Sequence, residues 1–252
     1  MGYGRNTLQK LANAFRIIRA SPTVFSGFLR LWDVFKEVWL YDLVRPGIKT
    51  GFQHKSDSLS ESSMWYSPVE TATARQMVSF AREWVRSYFE YSSTDSVAIF
   101  ADLGGGAGKA NLIALELGFS LSVAMEIDEE LVELAKMNFR VLEKLRKSTG
   151  IGLAVHGDVT NPDDLRRMRN EAEELIVGKA IWVFFNKNSY GPTQLEKSVE
   201  ALDDIFKDYV YLYQNPVHEE ILIKHGFFIH RRIIDRKLKK NKDWIIATPG
   251  RV

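Results

Sequence analysis

The chain has 252 residues, of which 45% are hydrophobic and 26% are charged, a balance that excludes a disordered or collagen-like architecture. It contains no cysteine, which excludes disulfides, thiolate zinc sites and cysteine nucleophiles. A formal net charge of +2 does not by itself indicate nucleic-acid binding, and the sequence predicts a cytoplasmic protein without a membrane-spanning helix.

The first 64 residues are predicted to form an N-terminal helical region that ends in a linker. Helices are expected over residues 7–19 and 23–44, and the serine-rich segment 55–63 is the best linker in the chain. Residues 1–32 carry basic residues and no acidic residue, so peripheral contact of residues 1–64 with an anionic membrane is one alternative. A hydrophobic cover over the following domain, residues 65–252, is the interpretation that we favour.

From residue 65 onward, helical and strand patterns alternate. Helices are expected at 68–91, 108–118, 128–147, 162–177, 193–207 and 217–225. Strands are expected at 96–102, 120–125, 151–155, 180–185, 209–213, 227–232 and 244–248, with the last two forming a closing hairpin. This alternation predicts an α/β fold with a doubly wound sheet.

The end of the first predicted strand is rich in glycine. Ligands of doubly wound sheets bind at the carboxyl ends of the strands. There, Asp102 is followed by Gly104, Gly106 and Gly108, and glycine lets the backbone turn sharply and approach a ligand closely. The spacing matches neither the dinucleotide fingerprint nor the phosphate loop. A plain strand-to-helix turn is the alternative interpretation.

Acidic residues mark the ends of the next two predicted strands. Glu126 ends the second strand, where a carboxylate can accept two hydrogen bonds from ribose hydroxyls. Asp158 follows the third strand, where it can accept a hydrogen bond from an exocyclic adenine amine. The alternatives are a solvated loop acid for Glu126 and a turn residue for Asp158.

These three signals, in this order, resemble the class I, seven-stranded S-adenosylmethionine (SAM) methyltransferases over residues 97–215. The resemblance implies a sheet of order 3-2-1-4-5-7-6 in which only the seventh strand is antiparallel. It implies SAM as the cofactor, with Asp102 and the glycine loop at its methionine end, Glu126 at the ribose and Asp158 at the adenine.

The loop after the fourth strand faces the transferred methyl group in that family. Residues 186–192 resemble the corresponding loop of poorly characterised bacterial methyltransferases with Asn-Pro-Phe at this place. They also resemble the Asn-Asn-Phe-x-Phe-Gly-Pro loop of non-SET histone lysine methyltransferases, from which Lys187 and Asn188 depart. An ordinary turn at Gly191-Pro192 is the alternative.

This second resemblance implies four residues that line a channel for the acceptor amine. They are Asn186, Asn188, Tyr190 and Tyr66, and Asn186 also belongs to the cofactor site. Tyr66 lies in an aromatic-Ser-Pro segment that covers the methionine end of SAM in similar enzymes. Its alternative interpretation is a core aromatic residue before a helix-starting proline.

The resulting hypothesis is a SAM-dependent N-methyltransferase that transfers methyl in line to a protein lysine amine. One alternative changes the acceptor to RNA or a small molecule, and the basic run 231–242 suits RNA, although such runs usually form a solvated surface. Another alternative, a non-catalytic SAM-binding or scaffold protein, rests on Lys187 alone. No metal is expected, because the start of a zinc motif at His218-Glu219 is not completed at position 222.

Overall fold

The computed structural model describes residues 40–50, 69–88, 96–187, 190–233 and 243–250, together with Trp32. A seven-stranded sheet has the order β3-β2-β1-β4-β5-β7-β6. Its strands are β1 (Ser96–Leu103), β2 (Leu121–Glu126), β3 (Ile151–His156), β4 (Lys179–Asn186), β5 (Tyr209–Gln214), β6 (Phe227–Ile233) and β7 (Trp244–Pro249). Only β7 is antiparallel to its neighbours, so the predicted doubly wound fold, sheet order and closing hairpin are confirmed.

Helices flank the sheet within the described ranges. They are α1 (Leu40–Leu43), α2 (Thr71–Tyr88), α3 (Lys109–Glu116), α4 (Glu129–Lys144), α5 (Pro162–Glu173), α6 (Pro192–Ile205) and α7 (Glu219–Lys224). None of the helices in this part of the chain has the length and apolar character needed to cross a membrane. The predicted helix 7–19, most of 23–44 and the linker 55–63 lie outside the described residues.

The two faces of the sheet are covered because the central strands are apolar on both sides. On β4, Ile181, Val183 and Phe185 face the core shared with α2, α3 and α4. The alternate residues Trp182 and Phe184 face the core shared with α5 and α6. This period of two, with both faces apolar, is what a buried parallel strand requires.

Several predicted helix boundaries were wrong by one to four residues. Gly108, predicted as helical, is the N-cap of α3 and has φ +79°, which an α-helix cannot contain. Helix α4 ends at Lys144 instead of 147, and Arg146 has φ +51°. Helix α2 begins at Thr71 instead of 68. Helix ends depend on local cap geometry, which the hydrophobic period does not encode.

Residues 40–50 pack onto the sheet domain. Ile48 is buried in the same core as α2 and α3. Arg45 forms a bidentate ion pair with Glu116 on α3, with Nε–Oε1 2.5 Å and Nη2–Oε2 3.0 Å. Arg75 on α2 also pairs with Glu116, so this carboxylate joins three elements. The boundary at residue 64 between two domains stays a prediction.

Candidate active site

The glycine loop after β1 folds over the end of β2. The N–H groups of Gly104 and Gly105 both donate to the carbonyl oxygen of Met125, at 2.9 Å each. A Cβ atom on Gly105 would lie 2.8 Å from the Cβ of Ala124 and 3.0 Å from its Cα. Such contacts do not occur in folded proteins without displacement of the neighbour, so the loop is packed against β2 at backbone distance.

The predicted glycines and Gly105 are needed for different reasons. Gly104, Gly106 and Gly108 have φ values of +88°, +51° and +79°, in the left-handed region that glycine adopts without steric cost. Gly105 is needed because there is no space for a Cβ atom next to Ala124. Sequence reasoning missed it because the motif allows any residue at that position. The run of three consecutive glycines was the signal that could have found it.

The carboxylate of Glu126, at the end of β2, accepts hydrogen bonds from nearby backbone N–H groups. Its Oε2 accepts a hydrogen bond from the N–H of Gly106 at 2.9 Å. Its Oε1 accepts from the N–H groups of Ile127 and Asp128, at 2.9 and 3.1 Å. Burial raises the pKa of Glu126, although these N–H groups oppose the shift. The predicted alternative, a solvated loop acid, does not describe this residue.

Asp102 is buried, with 6% of its surface exposed, at the end of β1. Its register partners are Ala124 on β2 and Phe185 on β4, so it lies between the two strands that frame the glycine loop. Burial raises the pKa of Asp102 well above its usual range, and the nearby Glu126 raises it further. Lys187 acts in the opposite direction. A further positive charge near Asp102 would favour the charged form of this carboxyl group.

Asp158 has the contacts of a turn residue, and its predicted contact with adenine stays a prediction. Its Oδ1 accepts hydrogen bonds from the N–H and the hydroxyl of Thr160, at 2.8 and 2.9 Å, which is the geometry of a turn residue. Its own N–H donates to Asp164 Oδ2 at 3.1 Å. The second oxygen, Oδ2, has no hydrogen bond to any residue in the described ranges and can accept one from a ligand.

The end of β4 places polar groups in the sheet interior. Asn186 is fully buried, and its Nδ2 donates to the hydroxyl oxygen of Tyr211 at 3.1 Å. The hydroxyl group of Tyr190 is buried and has no hydrogen-bond partner among the described residues. Burial raises the pKa of both tyrosines, so both phenols are neutral at physiological pH.

Lys187 brings a cation to the same loop. Burial lowers the pKa of Lys187 to about 8, whereas the carboxylates of Glu70 and Asp102 raise it. The group is therefore mostly charged at neutral pH and close to its titration range. The predicted channel residues Asn188 and Tyr66 lie outside the described residues, and their roles stay predictions.

A contact that sequence reasoning missed connects the glycine loop to the N-terminal segment. Asn138 on α4 is fully buried. Its Nδ2 donates to the carbonyl oxygens of Ala107, at 2.9 Å, and Lys49, at 3.2 Å, and its Oδ1 accepts from the N–H of Lys49 at 2.9 Å. An asparagine within the apolar stripe of α4 was the available signal, but its partners are distant in sequence.

Comparisons with known proteins concern the fold. The sequence matches no protein-family model and no curated protein. Similar solved structures include a ribosomal protein L11 methylase from Lactobacillus delbrueckii subsp. bulgaricus, with 15% identity over 72% of this chain and 79% of that chain and a TM-score of 0.42. A putative RNA methyltransferase from Pyrococcus horikoshii has 18% identity, coverages of 71% and 84%, and a TM-score of 0.43.

A third similar structure is the m1A22 tRNA methyltransferase of B. subtilis, with 20% identity, coverages of 70% and 65%, and a TM-score of 0.44. These three proteins are named for different acceptors, and at such identities the likeness concerns architecture. The chain's own sheet has the order 3-2-1-4-5-7-6 with one antiparallel strand. By its own strand order, this chain has a Rossmann-like fold with a doubly wound, mostly parallel sheet.

Proposed function

We propose that this protein is a SAM-dependent methyltransferase. The observation that carries the proposal is the arrangement of Asp102, Glu126 and Asp158 at the ends of three adjacent strands, beside a glycine loop that Glu126 itself binds. Adjacent strands are about 4.8 Å apart, so the three strand ends span roughly 10 Å. That span suits a nucleoside laid along the edge of the sheet.

The donor and acceptor groups at this edge fit the parts of SAM. Glu126 offers carboxylate oxygens for the ribose hydroxyls, and Asp158 offers Oδ2 for the adenine amine. Ile127 leaves half of its apolar surface exposed next to Glu126 and can pack against the adenine ring. Asp102 is a buried carboxylate whose charged form gains from a cation, and SAM is cationic at its methionine end.

When bound, SAM supplies an electrophilic methyl group on a sulfonium. The contribution of the chain is to orient a neutral nucleophile toward it and to exclude water, and orientation can be worth on the order of 7–11 kcal/mol. The buried, neutral hydroxyl of Tyr190 is suited to bind an acceptor nitrogen or its substituent. The charge on Lys187 in the same loop disfavours a protonated amine there.

We infer that the acceptor is a nitrogen on RNA. The connection between β6 and β7 is anchored at the edge that holds Asp102, because Trp244 pairs with Ile233 and with Gln214 at the end of β5. Residues 234–242, between these anchors, carry five bases and one acid. A connection of this composition favours a polyanion as the acceptor, and the cation of Lys187 favours it too.

A protein lysine is the second candidate acceptor. The observation in its favour is the resemblance of Asn186, Tyr190, Gly191 and Pro192 to the loop of the non-SET lysine methyltransferases. A lysine has a pKa of about 10.4 in water, so it would have to lose a proton on entry. The positive charge of Lys187 would assist that loss while weakening the binding of the protonated amine.

One experiment tests the reaction and separates the acceptors. Purified protein is incubated with methyl-labelled SAM and a cell extract, and the products are divided by nuclease and by protease treatment. We expect label that nuclease releases, at a rate that falls steeply with added salt. Label released only by protease and found on lysine would replace RNA by the second candidate. Absence of SAM binding in calorimetry would contradict the proposed function altogether.

A further inference from the structure

A cavity at the opposite edge of the sheet is lined by two arginines. Arg82 and Arg86 lie four residues apart on α2, so their side chains are on one face of the helix. The facing wall is the turn between α3 and β2, residues 118–120, and Val85 and Ala98 complete the lining. The cavity has a volume of about 70 Å³ and is open to solvent on one side.

These two arginines differ from the others that α2 and its neighbours carry. Arg75, on the same helix, pairs with Glu116, and Arg45 pairs with the same carboxylate. Within the described ranges, neither Arg82 nor Arg86 has an ion pair or a side-chain hydrogen bond. Two guanidinium groups without counter-charges therefore face one concave surface.

Arg82 is held close to the wall of the cavity. A Cβ atom on Gly118 would lie 3.0 Å from its Nη2, and Gly118 has φ +87°, so glycine is required at this turn. Arg82 is half-buried. A charge that is partly removed from water without a partner is unfavourable, and an anion in the cavity would offset that cost.

We propose that this cavity binds a phosphate group. Two guanidinium forks can share the oxygens of one phosphate, whereas a carboxylate has only two oxygens and is satisfied by a single fork. The exposed hydroxyl of Ser120 adds a neutral donor on the facing wall. The source of the phosphate is either a free nucleotide or the backbone of an RNA.

The phosphate site is separate from the proposed cofactor site. Ala98 lines the cavity, and Asp102 lies four residues further along β1, or about 13 Å at the rise of a strand. Occupation of one site does not require the other. The phosphate proposal can therefore fail while the proposed methyltransferase function stands, and the reverse is also true.

The test measures binding of three probes to the full chain: inorganic phosphate, adenosine monophosphate and a short oligoribonucleotide. Titrations by calorimetry compare the wild type with Arg82→Gln, Arg86→Gln and the double variant. Arg140→Gln, which removes an exposed arginine from α4, is the matched control. We expect each single variant to weaken binding about tenfold and the control to leave it unchanged.

The outcomes separate the two sources. Binding of phosphate and of the monophosphate that depends on both arginines supports the site with a free nucleotide as ligand. Arginine-dependent binding of the oligoribonucleotide alone supports the site with an RNA backbone as ligand. No binding of any probe would overturn the proposal. Binding by Arg82→Gln and Arg86→Gln that equals binding by the wild type would overturn it as well.

Discussion

Charged side chains at the two edges of the sheet differ in their partners. At the carboxyl edge, Glu126 is bound by the N–H groups of three residues and helps to fix the glycine loop. At the amino edge, Arg82 and Arg86 have no such partners among the described residues and line an open cavity. The chain itself organises the carboxyl edge, whereas the described part of the chain supplies no counter-charge to the two arginines at the amino edge. The difference shows why substitutions at the two edges should act differently.

The largest effect is expected from Gly105→Ala, which would break the organisation of the carboxyl edge. The new Cβ would lie 2.8 Å from the Cβ of Ala124 and 3.0 Å from its backbone, so the loop must move. Overpacking of this kind costs about 1–3 kcal/mol of stability. We also expect loss of measurable SAM binding in calorimetry, because the displaced loop carries Gly106.

Gly191→Ala is the matched control for stability. Its Cβ would approach only the flexible end of Gln194, at 2.8 Å, and Gly191 has an ordinary φ of −68°. Thermal unfolding should therefore show a much smaller change in Tm than for Gly105→Ala. Equal stability of the Gly105 variant and the wild type would show that the loop is not held at backbone distance.

Glu126→Ala removes the carboxylate that accepts a hydrogen bond from the glycine loop and that is proposed to bind ribose. We expect SAM affinity to fall by about 1.5–3 kcal/mol, the size of hydrogen bonds to a charged group. Calorimetry measures the loss, and Glu133→Ala, which removes an exposed acid from α4, should leave affinity unchanged. Unchanged affinity in Glu126→Ala would remove this residue from the ribose role.

Asn138→Ala tests whether the carboxyl edge depends on the N-terminal segment. The change removes hydrogen bonds to Lys49 and Ala107 and leaves buried groups without partners, at a cost of about 1–3 kcal/mol. Denaturant unfolding should show that loss, together with a smaller loss of SAM affinity. The same change at the exposed Asn170 should be neutral, and comparable effects at both positions would contradict the tethering role.

The smallest effect is a gain in stability from Asp102→Asn without ligand. Because burial raises the pKa of Asp102, the folded chain binds this proton more tightly than the unfolded chain does. Stability therefore falls as pH rises from the unfolded pKa, about 3.9, toward the raised folded value. The variant should unfold at higher temperature than the wild type at neutral pH, by roughly 2–4 °C for each kcal/mol relieved.

The pH dependence provides the control for that gain. The difference in Tm between Asp102→Asn and the wild type should shrink as the pH approaches about 4, where the unfolded carboxyl is protonated too. SAM binding should weaken in the same variant, because the cation at the methionine end loses its partner. A variant that is less stable than the wild type at neutral pH would contradict the unfavourable burial of this carboxylate.

Strand and helix patterns predicted most of the fold because they are local. Apolar runs such as 180–185 indicated central parallel strands, and β4 is buried on both faces. Boundaries were less predictable, since the backbone angles of Gly108 before α3 and of Arg146 after α4 are not encoded by the hydrophobic period. Asp128, of a residue type that favours helix N-caps, accepts hydrogen bonds from the N–H groups of Glu130 and Leu131 and caps α4.

The sequence by itself determined the order of the elements, the α/β class and the three acids that follow successive strands, because parallel strands bring their carboxyl ends to one edge. Only the tertiary structure decided what those residues touch. The space that Gly105 lacks, the tether through Asn138 and the cavity beside Arg82 arise between segments distant in sequence. Such contacts depend on strand register and on helix packing, and both are properties of the folded chain as a whole.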